Sequence, residues 1–326
     1  MSERGLAAAW YRRAGWLWLL RPLELLFRLL SGARRLLYRW RVLPGYRAPV
    51  PVVVVGNITV GGTGKTPVVI ALVEALQAQG ISPGVVSRGY GAAAGDFPRL
   101  VSPHSSAGDS GDEPLLIARR TGAPVVIAPD RPAAVRALLQ AARVDMVICD
   151  DGLQHYALQR DMEIVLIDAR RGLGNGFCLP AGPLREPASR LASVDHVLYR
   201  GGEDPHNAVQ YQPRCWVNLH SGEERPLSAF AARGEVCAVA GIGQPEQFFA
   251  TLQDIGIDHV SRTFADHHRY SGADFAGLAG QTILMTEKDA VKCAGLAGND
   301  AWYLRIDAAL PAGLVAAVSA LAATSS

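Results

Sequence analysis

The sequence predicts an α/β protein built on a mostly parallel sheet with helices on both faces. Short apolar runs alternate with helix-like segments along most of the chain, which is typical of strands joined by crossover helices. One of the first apolar runs leads directly into a glycine-rich turn. Of the 326 residues, 49% are hydrophobic and 19% are charged, a composition that excludes a disordered chain.

The first 47 residues have an unusual composition. Ten arginines lie within the first 50 residues against two glutamates, although the net charge of the chain is only +2. Polar residues recur there every three or four positions, as on one face of a helix: Arg21, Glu24, Arg28, Ser31, Arg35 and Arg39. Leucines fill most of the remaining positions, and the same segment holds four of the six tryptophans: Trp10, Trp16, Trp18 and Trp40.

We interpret residues 1–47 as an N-terminal amphipathic helix that lies in a membrane interface. An ordinary amphipathic helix packed on its own domain is the alternative. Because Arg21, Glu24 and Arg28 interrupt the apolar stretch, we predict neither a secretory signal nor a membrane span. The segment is too apolar for a nucleic-acid-binding arm, so we expect no nucleic-acid partner.

The glycine-rich turn at residues 59–66 has the layout of a nucleotide phosphate cradle. An apolar run at 51–55 precedes it, and a helix-like stretch at 67–77 follows it. We expect the whole turn to bind phosphate: Thr59, Val60, Gly61, Gly62, Thr63, Gly64, Lys65 and Thr66. The Lys65 ammonium would reach the β- and γ-phosphates, and the Thr66 hydroxyl would ligate Mg²⁺. The turn is off-pattern at Thr59, where the usual motif has glycine.

A nucleotide-binding domain of the P-loop NTPase type is therefore predicted over residues 48–205. Its later strands are expected at residues 84–87, 124–128, 146–149, 163–168 and 194–199. Residues 92–114, rich in Gly, Ser, Asp and Pro, are expected to form a long loop. Ligands on such sheets bind at the carboxyl ends of the strands, which is where the motifs fall.

A smaller C-terminal α/β domain is predicted over residues 233–326. Strands are expected at 236–240 and 283–286, and helices at 247–253 and 310–323. Between the two domains, residues 206–232 are polar and punctuated by Gly and Pro, with one strand-like piece at 215–219. We interpret them as a linker.

Two pairs of adjacent carboxylates are candidate metal ligands or catalytic groups. Asp150 and Asp151 close an apolar strand, as in a Walker-B site that holds Mg²⁺ directly or through water. Asp112 and Glu113 stand at the start of a helix-like segment. Aspartates at strand and helix ends are also common caps, so Asp112 could simply be an N-cap.

Further candidates are a histidine and several charged residues near prolines. His267, between Asp266 and His268, could act as a base or proton relay, although a surface turn is the simpler interpretation from spacing alone. Substrate- or phosphate-clamping side chains are expected at four positions: Arg88, Arg131, Arg185 and Glu186. Taken singly, each of these could instead form a salt bridge.

Seven short motifs, taken in order, resemble one known family. They are Gly56-Asn57-Ile58-Thr59-Val60-Gly61-Gly62-Thr63-Gly64-Lys65-Thr66-Pro67, Ser87-Arg88-Gly89-Tyr90-Gly91, Gly111-Asp112-Glu113-Pro114, Asp150-Asp151-Gly152-Leu153-Gln154-His155, Leu179–Pro187, Asp266-His267-His268 and Thr286-Glu287-Lys288-Asp289-Ala290. Together with the Arg- and Trp-rich N-terminal segment, this set is similar to the tetraacyldisaccharide 4′-kinase (lipid A 4′-kinase) family. The resemblance covers nearly the whole chain, and the family's phosphate turn also carries Thr at the position of Thr59.

The resemblance implies a lipid kinase of lipid A biosynthesis. Its substrates would be ATP with Mg²⁺ and the 4′-hydroxyl of a tetraacylated glucosamine disaccharide 1-phosphate, at the cytoplasmic face of a Gram-negative inner membrane. It implies that ATP binds between the two domains. It also pairs His267 with Asp112 as the catalytic base, beside Lys65, and leaves Thr66, Glu113, Asp150 and Asp151 as candidate Mg²⁺ ligands.

Two other classes of protein are alternatives to a kinase. Switch ATPases of the partitioning and metal-insertion type share the Gly-Gly-x-Gly-Lys-Thr turn, but they carry a signature Lys just before the paired glycines, where this chain has Val60. A non-catalytic membrane-surface nucleotide-binding module has no need of Asp112, Asp150 and His267 beside the cradle.

Overall fold

The computed structural model describes residues 3–93, 95–231, 236–278 and 280–323. Within these residues, thirteen strands form one sheet. They are β1 (Val52–Gly56), β2 (Pro83–Ser87), β3 (Arg99–Val101), β4 (Val125–Ile127), β5 (Met146–Asp150), β6 (Met162–Asp168), β7 (His196–Arg200), β8 (Ala208–Asn218), β9 (Glu224–Arg225), β10 (Val236–Ala240), β11 (His259–Thr263), β12 (Ile283–Thr286) and β13 (Ala301–Ala309).

The strand order is β11-β10-β12-β13-β8-β7-β6-β1-β5-β2-β4-β3, with β9 paired to β8. Most neighbours are parallel, and the antiparallel pairs are β3 with β4, β8 with β9, and β8 with β13. Strand β8 joins the two halves, because its first residues pair with β7 and most of its length pairs with β13. The predicted mostly parallel α/β fold with helices on both faces is confirmed.

Ten α-helices connect and cover these strands in the part of the chain that the structure describes. They are α1 (Glu3–Arg12), α2 (Arg21–Arg39), α3 (Lys65–Gln77), α4 (Ala107–Ser110), α5 (Asp112–Thr121), α6 (Arg131–Ala141), α7 (Pro245–Asp254), α8 (Gly272–Phe275), α9 (Glu287–Cys293) and α10 (Ala312–Ala323). Helices α3 and α5 pack on one face of the first half of the sheet, and α6 packs on the other.

The composition of β1 explains its central place. Its four consecutive valines are all buried, as expected of a parallel strand covered on both faces. Successive side chains point to opposite faces, so Val53 and Val55 join the core beneath α3 while Val52 and Val54 join the core beneath α6. The phosphate turn therefore follows a strand that is buried along its whole length.

The structure differs from the sequence-based expectation in two internal segments. Residues 92–114, predicted as a long loop, contain β3, α4 and the start of α5. Residues 206–232, predicted as a linker, contain the eleven-residue strand β8, which hydrogen-bonds on both sides within the sheet. The predicted boundary between residues 232 and 233 lies outside the described residues, so the division into domains stays a prediction.

The N-terminal segment is amphipathic as predicted, but it is not one continuous helix. A 3-10 turn at Gly15–Leu20 separates α1 from α2. In α2 part of the polar side faces the protein, although Arg28 and Arg39 are exposed. Glu24 is buried, pairs with Arg21 at 3.0 Å, and accepts a hydrogen bond from the backbone N–H of Cys178. The leucines face outward and are exposed. Among the helices described, none is long and apolar enough to cross a membrane.

Candidate active site

The phosphate turn lies between β1 and α3, and its glycines allow its shape. Gly61 and Gly64 adopt φ angles of 103° and 83°, the left-handed region that other residues rarely enter. A Cβ at Gly64 would also lie 2.9 Å from the Tyr211 hydroxyl, which donates a hydrogen bond to the Gly64 carbonyl. Because α3 begins immediately after this turn, its unpaired backbone N–H groups point toward any bound phosphate.

The start of the turn is held by residues outside it. The Val60 backbone N–H donates to the Pro183 carbonyl at 2.8 Å, and Thr59 bridges to Leu184. The Asn57 amide donates to Thr63 Oγ1 at 3.1 Å. Thr59 therefore serves in a backbone bridge where the usual motif has glycine. All eight predicted cradle residues, 59–66, lie in this turn or at the first turn of α3.

Asp151 pairs with two cationic side chains, Lys65 and Arg185, beside the phosphate turn. The Lys65 ammonium lies 3.4 Å from Asp151 Oδ1, and the Arg185 guanidinium contacts both carboxylate oxygens at 2.9 and 3.2 Å. Burial alone raises the pKa of Asp151, but Lys65 and Arg185 outweigh it and hold that pKa well below its usual range. Asp151 is therefore ionised, and the predicted clamp Arg185 stands beside Lys65.

Asp150 is the most deeply buried carboxylate at the end of β5. Ser87 donates a hydrogen bond to its Oδ2 at 3.0 Å, whereas its buried Oδ1 has no partner among the described residues. Burial, the charge of Glu113 and the charge of Asp151 raise the pKa of Asp150 to about 7, against the lowering effect of Lys65. The unpaired Oδ1 of Asp150 is an oxygen of the kind that Mg²⁺ prefers as a ligand.

Asp112 and His267 meet across the two halves of the sheet. Asp112 begins α5 and is buried, and His267 follows β11; His267 Nδ1 lies 3.0 Å from Asp112 Oδ2. Burial raises the pKa of Asp112, but the hydrogen bond from His267 and the charges of Lys288 and Lys292 lower it overall. The imidazole can thus orient an ionised carboxylate, the arrangement of a base and its positioning partner.

Strained backbone also marks this site. Among the described residues, four that are not glycine have positive φ, and two of them are Asp151 at 48° and His267 at 56°. Such conformations persist only where the surroundings impose them, and they concentrate at functional sites. The ring of Tyr90 packs at 4.8 Å from the His267 ring, closing one side of the group.

Two lysines that the motif analysis gave no role stand next to the carboxylates. The Lys288 ammonium lies 2.9 Å from Glu113 and 3.9 Å from Asp112, and the Lys292 ammonium lies 3.9 Å from Asp112. Burial lowers the pKa of Lys288, but the surrounding carboxylates raise it well above its ordinary value. The lysine content of the sequence indicates a role for both: the chain has only three lysines, Lys65, Lys288 and Lys292, and all three lie at this site.

Two predicted clamp residues are buried and hydrogen-bonded within the protein. Arg131 is fully buried, and its guanidinium donates to the backbone carbonyls of Ala128 and Asp150 at 2.7 and 3.3 Å. Glu186 is buried and accepts hydrogen bonds from Gln154 at 2.8 Å, from Arg190 at 3.2 Å and from Tyr156. These contacts hold neighbouring loops, and a clamping role for the two residues stays a prediction. Arg88 is exposed just after β2.

The second half of the molecule reaches the phosphate turn directly. Gln244 donates a hydrogen bond to the Gly62 carbonyl at 2.9 Å, and Arg200 pairs with Asp168 near Gly64. Tyr11 of α1, together with Asp168 and Gln244, lines a small cavity beside the turn. None of these contacts is visible from spacing in the sequence, because they depend on how distant segments pack.

Comparisons with known proteins agree on one family. The LpxK family model, described as tetraacyldisaccharide-1-P 4′-kinase, matches residues 16–323. The tetraacyldisaccharide 4′-kinase of Pseudomonas aeruginosa PAO1 is 54% identical over 310 residues, covering 94% of this chain and 93% of the relative. The enzyme of that name from Azotobacter vinelandii is also 54% identical over 310 residues, covering 93% of this chain and 92% of its own.

A solved structure gives the same answer for the fold. The crystal structure of LpxK from Aquifex aeolicus in complex with ATP superposes with a TM-score of 0.81 at 29% identity, over 95% of this chain and 99% of that one. The resemblance found in the motifs is thus confirmed over nearly the whole length. The chain belongs to the tetraacyldisaccharide 4′-kinase family.

Proposed function

We propose that this protein transfers the γ-phosphate of ATP to the 4′-hydroxyl of an acylated glucosamine disaccharide 1-phosphate, in lipid A biosynthesis. The observation that carries the proposal is the contact between Asp112 and His267 within the same site as the phosphate turn. A sugar hydroxyl is a poor nucleophile, so its attack on phosphorus benefits from a carboxylate that orients it and accepts its proton.

The nucleotide is held by the phosphate turn and by Lys65. Backbone N–H groups of residues 59–66 surround the β- and γ-phosphates, and Lys65 neutralises their charge. In the present arrangement Lys65 and Arg185 are paired with Asp151. When ATP enters, the Lys65 ammonium can turn toward the phosphate oxygens, since at 3.4 Å from Asp151 it is only loosely paired, while Arg185 keeps Asp151 in place.

Mg²⁺ fits the carboxylates at the ends of β5 and at the start of α5. The unpaired Oδ1 of Asp150, with Asp151, Glu113 and the Thr66 hydroxyl, supplies the oxygen ligands that Mg²⁺ prefers. When bound there, Mg²⁺ would neutralise charge on the β- and γ-phosphates. The chain's own contribution at Asp151 is to keep that carboxylate ionised, through Lys65 and Arg185.

The acceptor hydroxyl is activated by Asp112. Its carboxylate accepts the proton of the 4′-hydroxyl as the new P–O bond forms and the bond to ADP breaks. His267 donates its ring N–H to Asp112 and holds that carboxylate in one orientation. Because the two residues come from different halves of the molecule, the pair depends on how the halves close, which would limit hydrolysis of ATP by water.

The protein binds its lipid substrate at a membrane surface. The leucine face of α2 and the tryptophans before it are exposed: Trp16, Trp18, Leu19, Leu23, Leu26, Leu29 and Leu30. Arginines beside this face suit an acylated, anionic substrate whose tails stay in the bilayer. This supports a peripheral location at the cytoplasmic face of the inner membrane.

The direct test is incubation of the purified protein with ATP, Mg²⁺ and tetraacyldisaccharide 1-phosphate in mixed micelles. Mass spectrometry should find a product heavier by one phosphate, and ³¹P NMR should place it at the 4′-position. Hydrolysis of ATP that never yields a phosphorylated lipid would contradict the proposal and favour a switch-ATPase activity.

A further inference from the structure

Arg120, at the end of α5 opposite Asp112, has a buried guanidinium with four carboxylate contacts. Its Nη1 donates to both oxygens of Glu287, at 3.1 and 2.9 Å, and its Nη2 donates to Asp307 Oδ1 at 2.7 Å. The same Nη2 lies 3.5 Å from Glu74 Oε1. Only 8% of the Arg120 side chain and 12% of the Glu287 side chain are exposed, so this pair is shielded from solvent, whereas Asp307 and Glu74 are 40% and 38% exposed.

The helices linked by Arg120 are those that supply the site. Glu74 belongs to α3, which begins with Lys65 and Thr66; Arg120 belongs to α5, which begins with Asp112. Glu287 is the first residue of α9, which carries Lys288 and Lys292. The three helices thus converge at the catalytic groups and are joined again at Arg120.

Adjacent residues of α9 hold the two ends of α5. Glu287 pairs with Arg120, and Lys288 pairs with Glu113 at 2.9 Å. Glu113 and Arg120 are seven positions apart, which corresponds to roughly 10 Å along a helix axis. If α5 slid along α9 in either direction, one of these two ion pairs would lengthen, so together they fix its axial position.

We propose that Arg120 is a positioning residue of this kinase. Through Glu287 it fixes α5 against α9, and thereby holds Asp112 beside His267, Lys288 and Lys292. The inference rests on the proposed role of Asp112 as base. A buried guanidinium with a planar fork suits this task, because it can bond two carboxylates in fixed directions, which a lysine cannot.

A buried charged cluster can also serve stability alone, so the test needs readouts that a purely structural role would not change. Arg120→Gln and Glu287→Gln are assayed at a temperature where circular dichroism shows both folded. We expect kcat to fall about tenfold or more while the KM for ATP stays within about twofold, since displacement of a catalytic group by about 1 Å costs that much or more. Arg119→Gln is the matched control, because Arg119 is the preceding residue of the same helix, is exposed, and donates a hydrogen bond to the Pro103 carbonyl at 2.8 Å.

Combination with Asp112→Asn separates positioning from a general defect. If Arg120 acts through Asp112, adding Arg120→Gln to Asp112→Asn should lower kcat little further, and the Arg120→Gln/Glu287→Gln double variant should lose about as much as either single variant. Arg120→Lys should recover only part of the rate, because it lacks the fork. Should Arg120→Gln not fold, Glu287→Gln carries the same test.

Two results would overturn the inference. The first is a wild-type kcat in a folded Arg120→Gln or Glu287→Gln enzyme. The second is a loss of kcat on adding Arg120→Gln to Asp112→Asn that is as large as the loss it causes in the wild-type enzyme. Failure of the wild-type protein to phosphorylate the lipid would instead contradict the proposed function. The two failures are therefore distinguishable in one set of assays.

Discussion

Asp112 and His267 are 155 positions apart in the chain, yet His267 Nδ1 lies within 3.2 Å of both carboxylate oxygens of Asp112. Asp112 is 4% exposed and His267 25% exposed, so the histidine stands between the buried carboxylate and solvent. An acceptor hydroxyl that reached Asp112 would therefore pass beside the His267 ring. This relationship is the basis of the first prediction.

Asp112→Asn and His267→Ala should each lower kcat while leaving the affinity for ATP nearly unchanged. The amide cannot accept the hydroxyl proton, and loss of the imidazole frees the carboxylate to rotate; each effect is expected on the order of 10²-fold. Because the two residues act as one unit, the double variant should lose much less than the product of the two single losses. Steady-state kinetics with the lipid substrate measures all three.

His268→Ala is the matched control for His267→Ala. His268 is the next residue, but its ring contacts Asp274 at 3.3 Å and not Asp112. Its kcat should stay near that of wild type. Strictly multiplicative losses in the double variant, or a full rate in Asp112→Asn, would show that the proton goes elsewhere, and Asp151 would be the next candidate.

Lys65→Ala should lower kcat by on the order of 10²-fold or more, because the ammonium stabilises charge on the transferring phosphoryl group. Since Lys65 also pairs with Asp151, the variant leaves Arg185 as the remaining partner of that carboxylate. The comparison is with Lys65→Arg, which keeps the charge but not its compact shape, and should lose less. Turnover at the wild-type rate in Lys65→Ala would contradict the assignment of residues 59–66.

The parts of the site that were predicted from sequence depend on local structure. The phosphate turn and Asp150–Asp151 follow apolar runs, and parallel strands place their carboxyl ends at one edge of a sheet, so their proximity could be inferred. Strand β1 pairs with β5 so that Val55 lies opposite Asp150. Adjacency of these two strands was enough to bring Lys65 to Asp151.

What sequence could not predict depends on tertiary packing. Residues 206–232 are polar and punctuated by Gly and Pro, so they resembled a linker, yet strand β8 within them pairs along β13, which was not predicted as a strand. Arg131 and Glu186 carry charges that suggested a clamp, but folding buries both. A charged residue's role depends on which side of the loop it faces, and spacing alone does not determine that.

The raised pKa of Asp150 predicts a pH-dependent stability in the nucleotide- and metal-free protein. A carboxylic acid whose folded pKa, about 7, exceeds its ordinary value of 3.8 contributes its full stabilisation below pH 3.8 and loses it between pH 3.8 and pH 7. Asp150→Asn mimics the neutral form. The Tm of Asp150→Asn should therefore exceed that of wild type by a few degrees more at pH 8 than at pH 5, measured by calorimetry in EDTA.

The exposed Asp258→Asn serves as control, since removal of a solvated carboxylate should leave a difference from wild type that does not change with pH. The prediction is wrong if the difference between Asp150→Asn and wild type is the same at pH 5 and pH 8. In that case Asp150 would be ionised throughout, and its unpaired oxygen would be satisfied by water.

The last prediction concerns the exposed leucines of α2. Leu29 and Leu30 are 68% and 62% exposed, so replacing both with serine should not disturb the core. If that face enters a bilayer, each leucine contributes about 1.5–3 kcal/mol of burial, and binding to vesicles of anionic phospholipid should weaken about tenfold or more. The apparent KM for the lipid should rise in parallel, whereas the KM for ATP should not.

The control variant replaces Leu100 and Val260 with serine. These residues are 54% and 48% exposed but lie on edge strands β3 and β11, so this variant should bind vesicles like wild type. Unchanged sedimentation with vesicles in the Leu29→Ser/Leu30→Ser variant would mean that α2 is a packing element, and that the membrane is contacted elsewhere.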